Sequence, residues 1–130
     1  MKPEQFIREQ GLPEAKRILG RAPEGATHYE LTVDGGFYFK RESFDWFCFG
    51  GGELIRTYME DHETCHLMPL NDLKRLVESV DLVKKLGGRS GAIREYFEYV
   101  HSGKSELDIR PNELARAIKD HESIYGGGDE

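Results

Sequence analysis

The chain has 130 residues, of which 38% are hydrophobic and 32% are charged, and its formal net charge at pH 7 is −6. A chain of this length buries roughly two thirds of its unfolded surface, so it needs neither a disulfide nor a metal for stability, and its negative charge argues against binding to a phosphate backbone unless the basic residues segregate. The two cysteines give no disulfide framework, and the lack of a run of roughly 20 apolar residues or of an apolar signal core predicts a cytoplasmic protein without a membrane span.

Residues 1–21 predict two short helices. Pro3 suits a first helical turn, and Gly11 stops the first helix. Pro13 suits the first turn of the second helix, which ends at Gly20. The two helices form a short N-terminal helical segment before the β-region.

Residues 27–68 predict an antiparallel β-meander of four or five strands. The first two strands are joined at Asp34, Gly35 and Gly36, because an Asp-Gly pair supplies the positive φ angles that a tight turn needs. The strand segments are THYELTV, FYFKR, SFDWFCF, ELIRTYM and, as a short fifth strand, ETCHLM.

Residues 70–125 predict about three helices, and residues 126–130 predict a frayed tail. The first of these helices has Asn71 as its N-cap and ends before Gly87. Its apolar stripe is Leu73, Leu76, Val77, Val80, Val83 and Leu86. The inward residues of the second are Ala92, Ile93, Tyr96, Phe97 and Val100, and those of the third are Leu114, Ala117, Ile118 and His121. The chain is therefore predicted to be one α+β domain over residues 1–130.

The segment FDWFCFGGGE, residues 44–53, is unusually rich in aromatic side chains. If it is a strand throughout, Phe44, Trp46 and Cys48 face one side, and Asp45, Phe47 and Phe49 face the other. Both sides are then largely apolar, which fits a core strand followed by a glycine turn, an aromatic face that binds a partner, or a ligand pocket. Residues 41–69 hold two basic and six acidic side chains, so the surroundings are acidic. The candidate partner contacts are Phe37, Tyr38, Phe47, Phe49 and Tyr58.

A metal site is a weak alternative in the segment DHETCHL. His62, Cys65 and His66 are residue types that bind zinc, and they lie within five positions of one another. Strong zinc motifs contain two such paired clusters, whereas this sequence has one. A polar loop is the preferred interpretation, and no cofactor is expected.

Residues suited to catalysis are not arranged as a recognisable site. The glycines at 50–52 lack the Lys-Ser/Thr and helix that follow in a phosphate-binding loop. Cys48 lies between two phenylalanines, a setting typical of an inert apolar thiol. His121 is expected on the inner face of its helix rather than in a proton relay. We therefore expect a protein that is not an enzyme.

The alternative function is nucleic-acid binding through the helical half. Several cations of this half fall on the exposed side of the predicted stripe, although a solvated helix face has the same pattern. These cations are Lys74, Arg75, Lys84, Lys85, Arg89 and Arg94. The acidic net charge makes this the less favoured hypothesis.

Several segments together resemble a known group of proteins. They are EQFIREQGLPEAKRIL, GGFYFK, DLKRLVESVDLV and AIKDHESIYGGG. The chain resembles uncharacterised small accessory proteins of lambdoid phages and enterobacterial prophages, most firmly over residues 3–30, 71–88 and 113–128. The resemblance implies a context, the cytoplasm of a bacterial host, and carries over no activity, cofactor or site residue.

The function expected from the sequence is a non-enzymatic protein–protein interaction module of a phage or prophage. Its partner would be a host or phage protein, bound through the acidic and aromatic β-region. Self-association into a homodimer is a further expectation, because spare strand edges and apolar patches are commonly buried between identical subunits.

Overall fold

The computed structural model describes residues 1–33, 35–102 and 111–126. It confirms the predicted α+β class, since a short helical segment precedes a five-stranded antiparallel sheet and further helices follow it. In chain order the elements are α1 (Pro3–Gln10), α2 (Leu12–Arg21), β1 (His28–Thr32), β2 (Gly35–Glu42), β3 (Asp45–Gly50), β4 (Glu53–Thr57), α3 (Asp61–Thr64), β5 (Met68–Pro69), α4 (Leu70–Lys85), α5 (Arg89–Ser102) and α6 (Pro111–Tyr125).

The chain divides into two compact units, Met1–Lys74 and Arg75–Glu130. Helix α4 begins in the first unit and ends in the second. The assignment of residues 1–130 to a single domain remains a prediction. Among the described residues, every helix is too short or too polar to cross a bilayer. Of the predicted tail, residues 126–130, only Gly126 is among the described residues.

The sheet has the strand order β4-β3-β2-β1-β5, with β4 at one edge and β5 at the other. The first four strands form the predicted meander, and each pairs antiparallel with its neighbour. The fifth strand is displaced from its predicted position, because residues 61–64 form the helical turn α3 and only Met68 and Pro69 pair with β1. Such a two-residue strand is too short to show an alternating pattern in the sequence.

The turn between β1 and β2 also differs from the prediction. The pairing of Thr32 with Gly35 leaves residues 33–34 as the connection, so Gly35 and Gly36 belong to β2. Asp34, the predicted turn residue, lies outside the described residues. Gly36 has a different role, because a Cβ atom there would lie 1.8 Å from the Oη atom of Tyr29. The glycine makes room for the tyrosine ring.

One face of the sheet, the Tyr29 face, is covered near β1 by the N-terminal helices. By strand alternation this face carries Tyr29, Tyr38, Phe47, Phe49 and Leu54. The ring of Phe6 in α1 meets that of Tyr29 edge-on at 6.4 Å between centroids. The Tyr38 hydroxyl donates a hydrogen bond of 2.6 Å to the Ile18 carbonyl of α2. Both helices therefore pack over the inner strands and complete the core there.

The opposite face, the Trp46 face, carries Phe37, Phe39, Trp46, Cys48 and Ile55. Phe39, Trp46 and Leu67 form a buried cluster, with Cys48 and Met59 partly buried against it. The cover on this side comes from the segment that follows β4. The glycine-flanked aromatic strand is thus a core element on its Trp46 side, which is the first of the interpretations offered by its sequence.

The second unit has its own apolar cluster, in which Val83 of α4 and Ala92 of α5 meet Leu114 and Ala117 of α6. The predicted stripe of α4 is confirmed from Leu73 to Val83, all of whose members are buried. Asn71 lies inside the first turn of α4 rather than at its N-cap, because the helix begins one residue earlier.

Helix α5 corrects the predicted inward face. Ala92 is fully buried, but Phe97 is 61% exposed and Val100 is 57% exposed. The interior side of α5 is therefore narrower than its five apolar positions predicted. The Phe97 ring contacts the ring of His101 one turn further on, at 4.5 Å between centroids.

Candidate interaction surface

The five predicted partner contacts lie on different parts of the sheet. Phe37 is on the Trp46 face, whereas Tyr38, Phe47 and Phe49 are on the Tyr29 face, and Tyr58 follows the end of β4. The structure therefore does not bring them together as one aromatic face. The sequence could not show this division, because Phe37 and Phe47 belong to different strands whose register is set by the turns between them.

Exposure separates these residues further. Tyr38 is held under α2 by its hydrogen bond to Ile18, and burial raises the pKa of its phenol. Phe47 and Phe49 are partly buried. Phe37 is 48% exposed and Tyr58 is 82% exposed. Two of the five predicted contacts are thus substantially accessible to a partner.

Four exposed large apolar side chains lie in the outer sheet, by which we mean residues 43–58, comprising the β2–β3 turn, β3, β4 and Tyr58. Three more in the described part of the first unit, Leu31, Val33 and Phe37, lie on the β1–β2 hairpin. On the edge strand β4, Leu54 and Ile55 point to opposite faces and are 43% and 53% exposed. An edge strand also presents backbone N–H and C=O groups that another chain can pair with. The outer sheet therefore combines accessible apolar side chains with an edge strand.

The β2–β3 turn contributes the most exposed aromatic ring of the outer sheet. Because Glu42 pairs with Asp45, the connection consists of Ser43 and Phe44 alone. Both have positive φ angles, 51° and 70°. Two central residues of this kind are typical of a type I′ hairpin turn, which usually contains Asn-Gly. Phe44 is 90% exposed at its tip.

Phe44 corrects the sequence analysis, which assigned it to the third strand facing the same side as Trp46. The strand begins at Asp45, two residues later than predicted. The apolar and aromatic run gave no sign of the break, because the turn lacks the glycine or asparagine that usually marks it. The break is visible only in the register of the structure, where the pairing of Glu42 with Asp45 leaves two residues between the strands.

An open groove of about 390 Å³ lies beside this turn. It is lined by Arg41, Phe44, Asp45, Trp46, Thr57, Tyr58, Met59 and Glu60. A guanidinium group already lies over two of its aromatic rings. Arg41 Cζ lies 5.0 Å from the Trp46 ring centroid, and Arg56 Cζ lies 5.1 Å from that of Tyr58. The groove is therefore not an empty aromatic cage for a cation.

The charges of the outer sheet itself are nearly balanced, since residues 43–58 hold Asp45, Glu53 and Arg56. Arg56 donates a hydrogen bond of 2.9 Å to Asp45, and Lys40 lies 3.2 Å from Glu42. Residues 41–69 as a whole hold six acidic and two basic side chains, and three of the six acidic side chains follow the outer sheet in sequence. The acidic excess is therefore a property of the wider segment.

The metal candidates are not assembled into a site. The described residues contain no group of three or more His, Cys, Asp or Glu side chains placed to hold a metal ion. The Cys65 thiol donates to the His62 carbonyl at 3.0 Å, and the His66 carbonyl accepts a hydrogen bond from the chain's N-terminal amine. His62 lies instead beside Glu60, with Nδ1 3.4 Å from the carboxylate.

Cys48 lies in the sheet as a partly buried thiol. Burial, followed by the negative charge of Glu30, raises its pKa. Because the thiolate is the nucleophile, this setting disfavours covalent catalysis. His121 is 98% buried, as its predicted position on the inner face of α6 requires, and its ring contacts that of Tyr125 at 4.9 Å.

The cations proposed for nucleic-acid binding differ in their surroundings. Arg75 is bound to Asp120 at 3.3 Å, and Arg89 donates to Glu122 at 2.8 Å. These carboxylates neutralise part of the charge that a phosphate backbone would need. The exposed members of the set are Lys74, Lys84, Lys85 and Arg94.

Comparison with protein-family models, with curated proteins and with solved structures finds no significant match to this chain.

Proposed function

We propose that this protein is a non-enzymatic protein-binding module that uses the outer sheet, residues 43–58, as its contact surface. The observation that carries the proposal is that exposed apolar side chains and an edge strand occur together there. Phe44, Leu54, Ile55 and Tyr58 range from 43% to 90% exposed within a single hairpin and its flanks. Scattered apolar residues are common on protein surfaces, but a concentration rimmed by polar groups is typical of an interaction site.

The surrounding charge supports a basic partner. Residues 41–69 hold six acidic and two basic side chains, so a surface with lysine or arginine around an apolar centre complements them. The resemblance to phage and prophage accessory proteins implies a host or phage protein in the bacterial cytoplasm. The partner proposed is therefore a protein with a positively charged rim.

The experiment compares capture from a nuclease-treated enterobacterial lysate by three immobilised proteins. They are the wild type, Ile55→Asp and, as a control at a similarly exposed apolar position in the second unit, Phe97→Asp. We expect a protein that the wild type and Phe97→Asp retain equally and that Ile55→Asp loses. Circular dichroism spectra of all three establish that each is folded.

Equal retention by all three proteins would show that the outer sheet is not the contact surface. The capture is repeated from a lysate without nuclease, and retention that is seen there but disappears after nuclease treatment would instead favour the nucleic-acid hypothesis. Both outcomes contradict the proposed function.

A further inference from the structure

We propose that the cavity between α2 and the β1–β2 hairpin is a binding site for a small organic anion, a molecule that joins a carboxylate or phosphate group to an apolar body. The cavity has a volume of about 380 Å³, and ligand pockets typically measure about 300–1,000 Å³. Its described lining residues all fall between positions 14 and 38, so it lies within the first unit and shares no residue with the outer sheet. The inference is therefore independent of the proposed function.

The hydroxyl group of Tyr29 is the first argument. Tyr29 is 5% exposed and lines the cavity, and no described residue forms a hydrogen bond with its Oη atom. Buried polar groups nearly always have a hydrogen-bond partner, because burial without one costs free energy. Burial also raises the pKa of this phenol, so the group is a donor at neutral pH. A ligand that accepts a hydrogen bond in the cavity satisfies it.

The charge of the cavity is the second argument. Glu14, Arg17 and Arg21 follow one another at intervals of three and four residues, so they share one face of α2, and all three line the cavity. Arg17 donates to Glu14 through Nε at 2.9 Å, whereas Arg21 forms no ion pair with any residue that the structure describes. The two guanidinium groups thus exceed the one carboxylate. The planar fork of N–H donors on an arginine matches the oxygens of a carboxylate or phosphate.

The apolar wall of the cavity is the third argument, and it favours an organic anion over an inorganic one. Ile18 of α2, Leu31 of β1 and Val33 line the cavity together with the charged groups. Leu31 is 38% exposed and Val33 is fully exposed. An inorganic ion leaves this apolar surface in contact with water. A ligand with an apolar body covers it, and the area removed from water contributes to binding.

The frame around the Tyr29 hydroxyl is held in place by neighbouring contacts. The Tyr38 hydroxyl donates to the Ile18 carbonyl at 2.6 Å, which joins β2 to α2 across the cavity's inner side. The Tyr29 ring meets those of Phe6 and Tyr38 edge-on, at 6.4 Å and 5.0 Å between centroids. A site whose groups are already positioned loses less conformational entropy when a ligand binds.

The first test is titration of the ¹⁵N-labelled full chain with four probes, followed by two-dimensional ¹H–¹⁵N NMR spectra. Hexanoate and hexyl phosphate carry both an anionic group and an apolar body, hexanol has only the body, and inorganic phosphate has only the charge. We expect saturable shifts of the amide signals of Tyr29, Leu31 and Gly36 with hexanoate or hexyl phosphate. Hexanol and inorganic phosphate should bind at least about tenfold more weakly, because each lacks one of the two contributions.

The comparison of the two organic anions shows whether the site prefers a carboxylate or a phosphate group. The absence of saturable shifts with both of them overturns the inference. Equal affinity for hexanol would show an apolar pocket without anion recognition, and equal affinity for inorganic phosphate would show a charged surface that does not use the apolar wall. Either result also overturns it.

The second test repeats the titration with the better probe on Arg21→Gln, Tyr29→Phe and Arg94→Gln. Arg94→Gln is the matched control, since it removes the same charge from an exposed position in the second unit. We expect Arg21→Gln to weaken binding at least about tenfold, as for a hydrogen bond to a charged group, and Arg94→Gln to leave it unchanged. Equal weakening by both variants would show attraction to the overall charge of the protein and would overturn the site.

Tyr29→Phe distinguishes a binding role of the hydroxyl from a structural one. We expect it to weaken binding roughly two- to tenfold, as for a neutral hydrogen bond. The thermal midpoint of unfolding should not fall, because the hydroxyl has no partner among the described residues. Unchanged affinity in Tyr29→Phe, or a midpoint that falls, would contradict the role assigned to this hydroxyl.

Discussion

Replacement of Gly36 by alanine tests the packing of β1 against β2. The added Cβ atom would lie 1.8 Å from Oη and 2.2 Å from Cζ of Tyr29, where an ordinary van der Waals contact is 3.4–4 Å. The tyrosine ring therefore has to move away, or the two strands have to separate. Since Leu31 pairs with Gly36, a shift of the backbone here disturbs the ladder next to the turn.

The ring has little room to move. Tyr29 is 5% exposed and meets the rings of Phe6 and Tyr38 edge-on, at 6.4 Å and 5.0 Å between centroids. Overpacking of a filled site typically lowers the free energy of unfolding by about 1–3 kcal/mol. That is a substantial part of the roughly 5–15 kcal/mol available to a small domain. We expect Gly36→Ala to fall within this range.

Urea unfolding followed by the fluorescence of Trp46 measures the change. Trp46 is the only tryptophan of the chain and is buried in the same sheet. With a slope of about 2 kcal/mol per molar urea, the middle of the usual range, the midpoint should fall by about 0.5–1.5 M without a change of slope. An unchanged slope indicates that stability has changed rather than the compactness of the unfolded chain.

Gly50→Ala is the matched control in the same sheet. A Cβ atom at Gly50 meets nothing within 4 Å, and the residue is exposed at the end of β3. Its free energy of unfolding should stay within about 0.5 kcal/mol of the wild-type value, so its midpoint should hardly move. In the Gly36→Ala background, Tyr29→Phe removes Oη but not Cζ, and should restore part of the loss. Equal midpoints for Gly36→Ala and Gly50→Ala would refute the close approach of Gly36 and Tyr29.

The remaining predictions concern a buried carboxylate and a partly buried imidazole. Asp120 is 8% exposed and accepts hydrogen bonds from the Ser79 hydroxyl at 2.7 Å and from Arg75 at 3.3 Å. We expect Asp120→Ala to lower the free energy of unfolding, measured by circular dichroism in urea, by about 1–3 kcal/mol. The exposed control Glu78→Ala on α4 should have little effect, and equal losses for the two variants would contradict the role of the contact. Burial, and then the charge of Arg41, lowers the pKa of His28 in the folded state. The unfolded chain therefore binds the proton more readily, and stability falls as pH drops below the ordinary pKa of about 6.5. His28→Gln should reduce the dependence of the free energy of unfolding on pH between about pH 8 and 5.5, and identical dependence for the two proteins would contradict the shift.

The amphipathic spacing of α4 allowed its buried face to be predicted from sequence. Its apolar residues recur at helical intervals, and those from Leu73 to Val83 are buried. The β-meander was equally accessible, since its strands alternate and are separated by turn residues. Sequence patterns predict elements of this kind because many residues contribute to one periodic signal.

A very short strand and a partly covered helix face could not be predicted from the sequence in the same way. Strand β5 has only Met68 and Pro69, so its place is fixed by pairing with β1 rather than by its own pattern. In α5, Phe97 and Val100 have helical spacing with Ala92, yet both are exposed. Periodicity identifies the face on which apolar residues lie, but how much of that face is covered depends on what packs against it.

The β2–β3 hairpin shows why the candidate site could not be located from composition alone. The aromatic excess near Trp46 suggested a single apolar face in need of a partner, but the register places Trp46 and Phe47 on opposite faces. Each face has cover of its own near the centre of the sheet, from α1 and α2 on one side and from the segment after β4 on the other.

The apolar side chains that remain accessible therefore lie at the ends of the strands and at the open edge of the sheet, as Phe44 and Ile55 do. A partner bound through the aromatic Tyr29 face would contact Phe47, which is partly buried. A partner bound at the open edge would contact Ile55 of β4 instead, which is 53% exposed. Comparison of Ile55→Asp with Phe47→Ala therefore distinguishes the two surfaces: contact at the edge predicts that only Ile55→Asp loses binding, and contact through the aromatic face predicts that Phe47→Ala loses it.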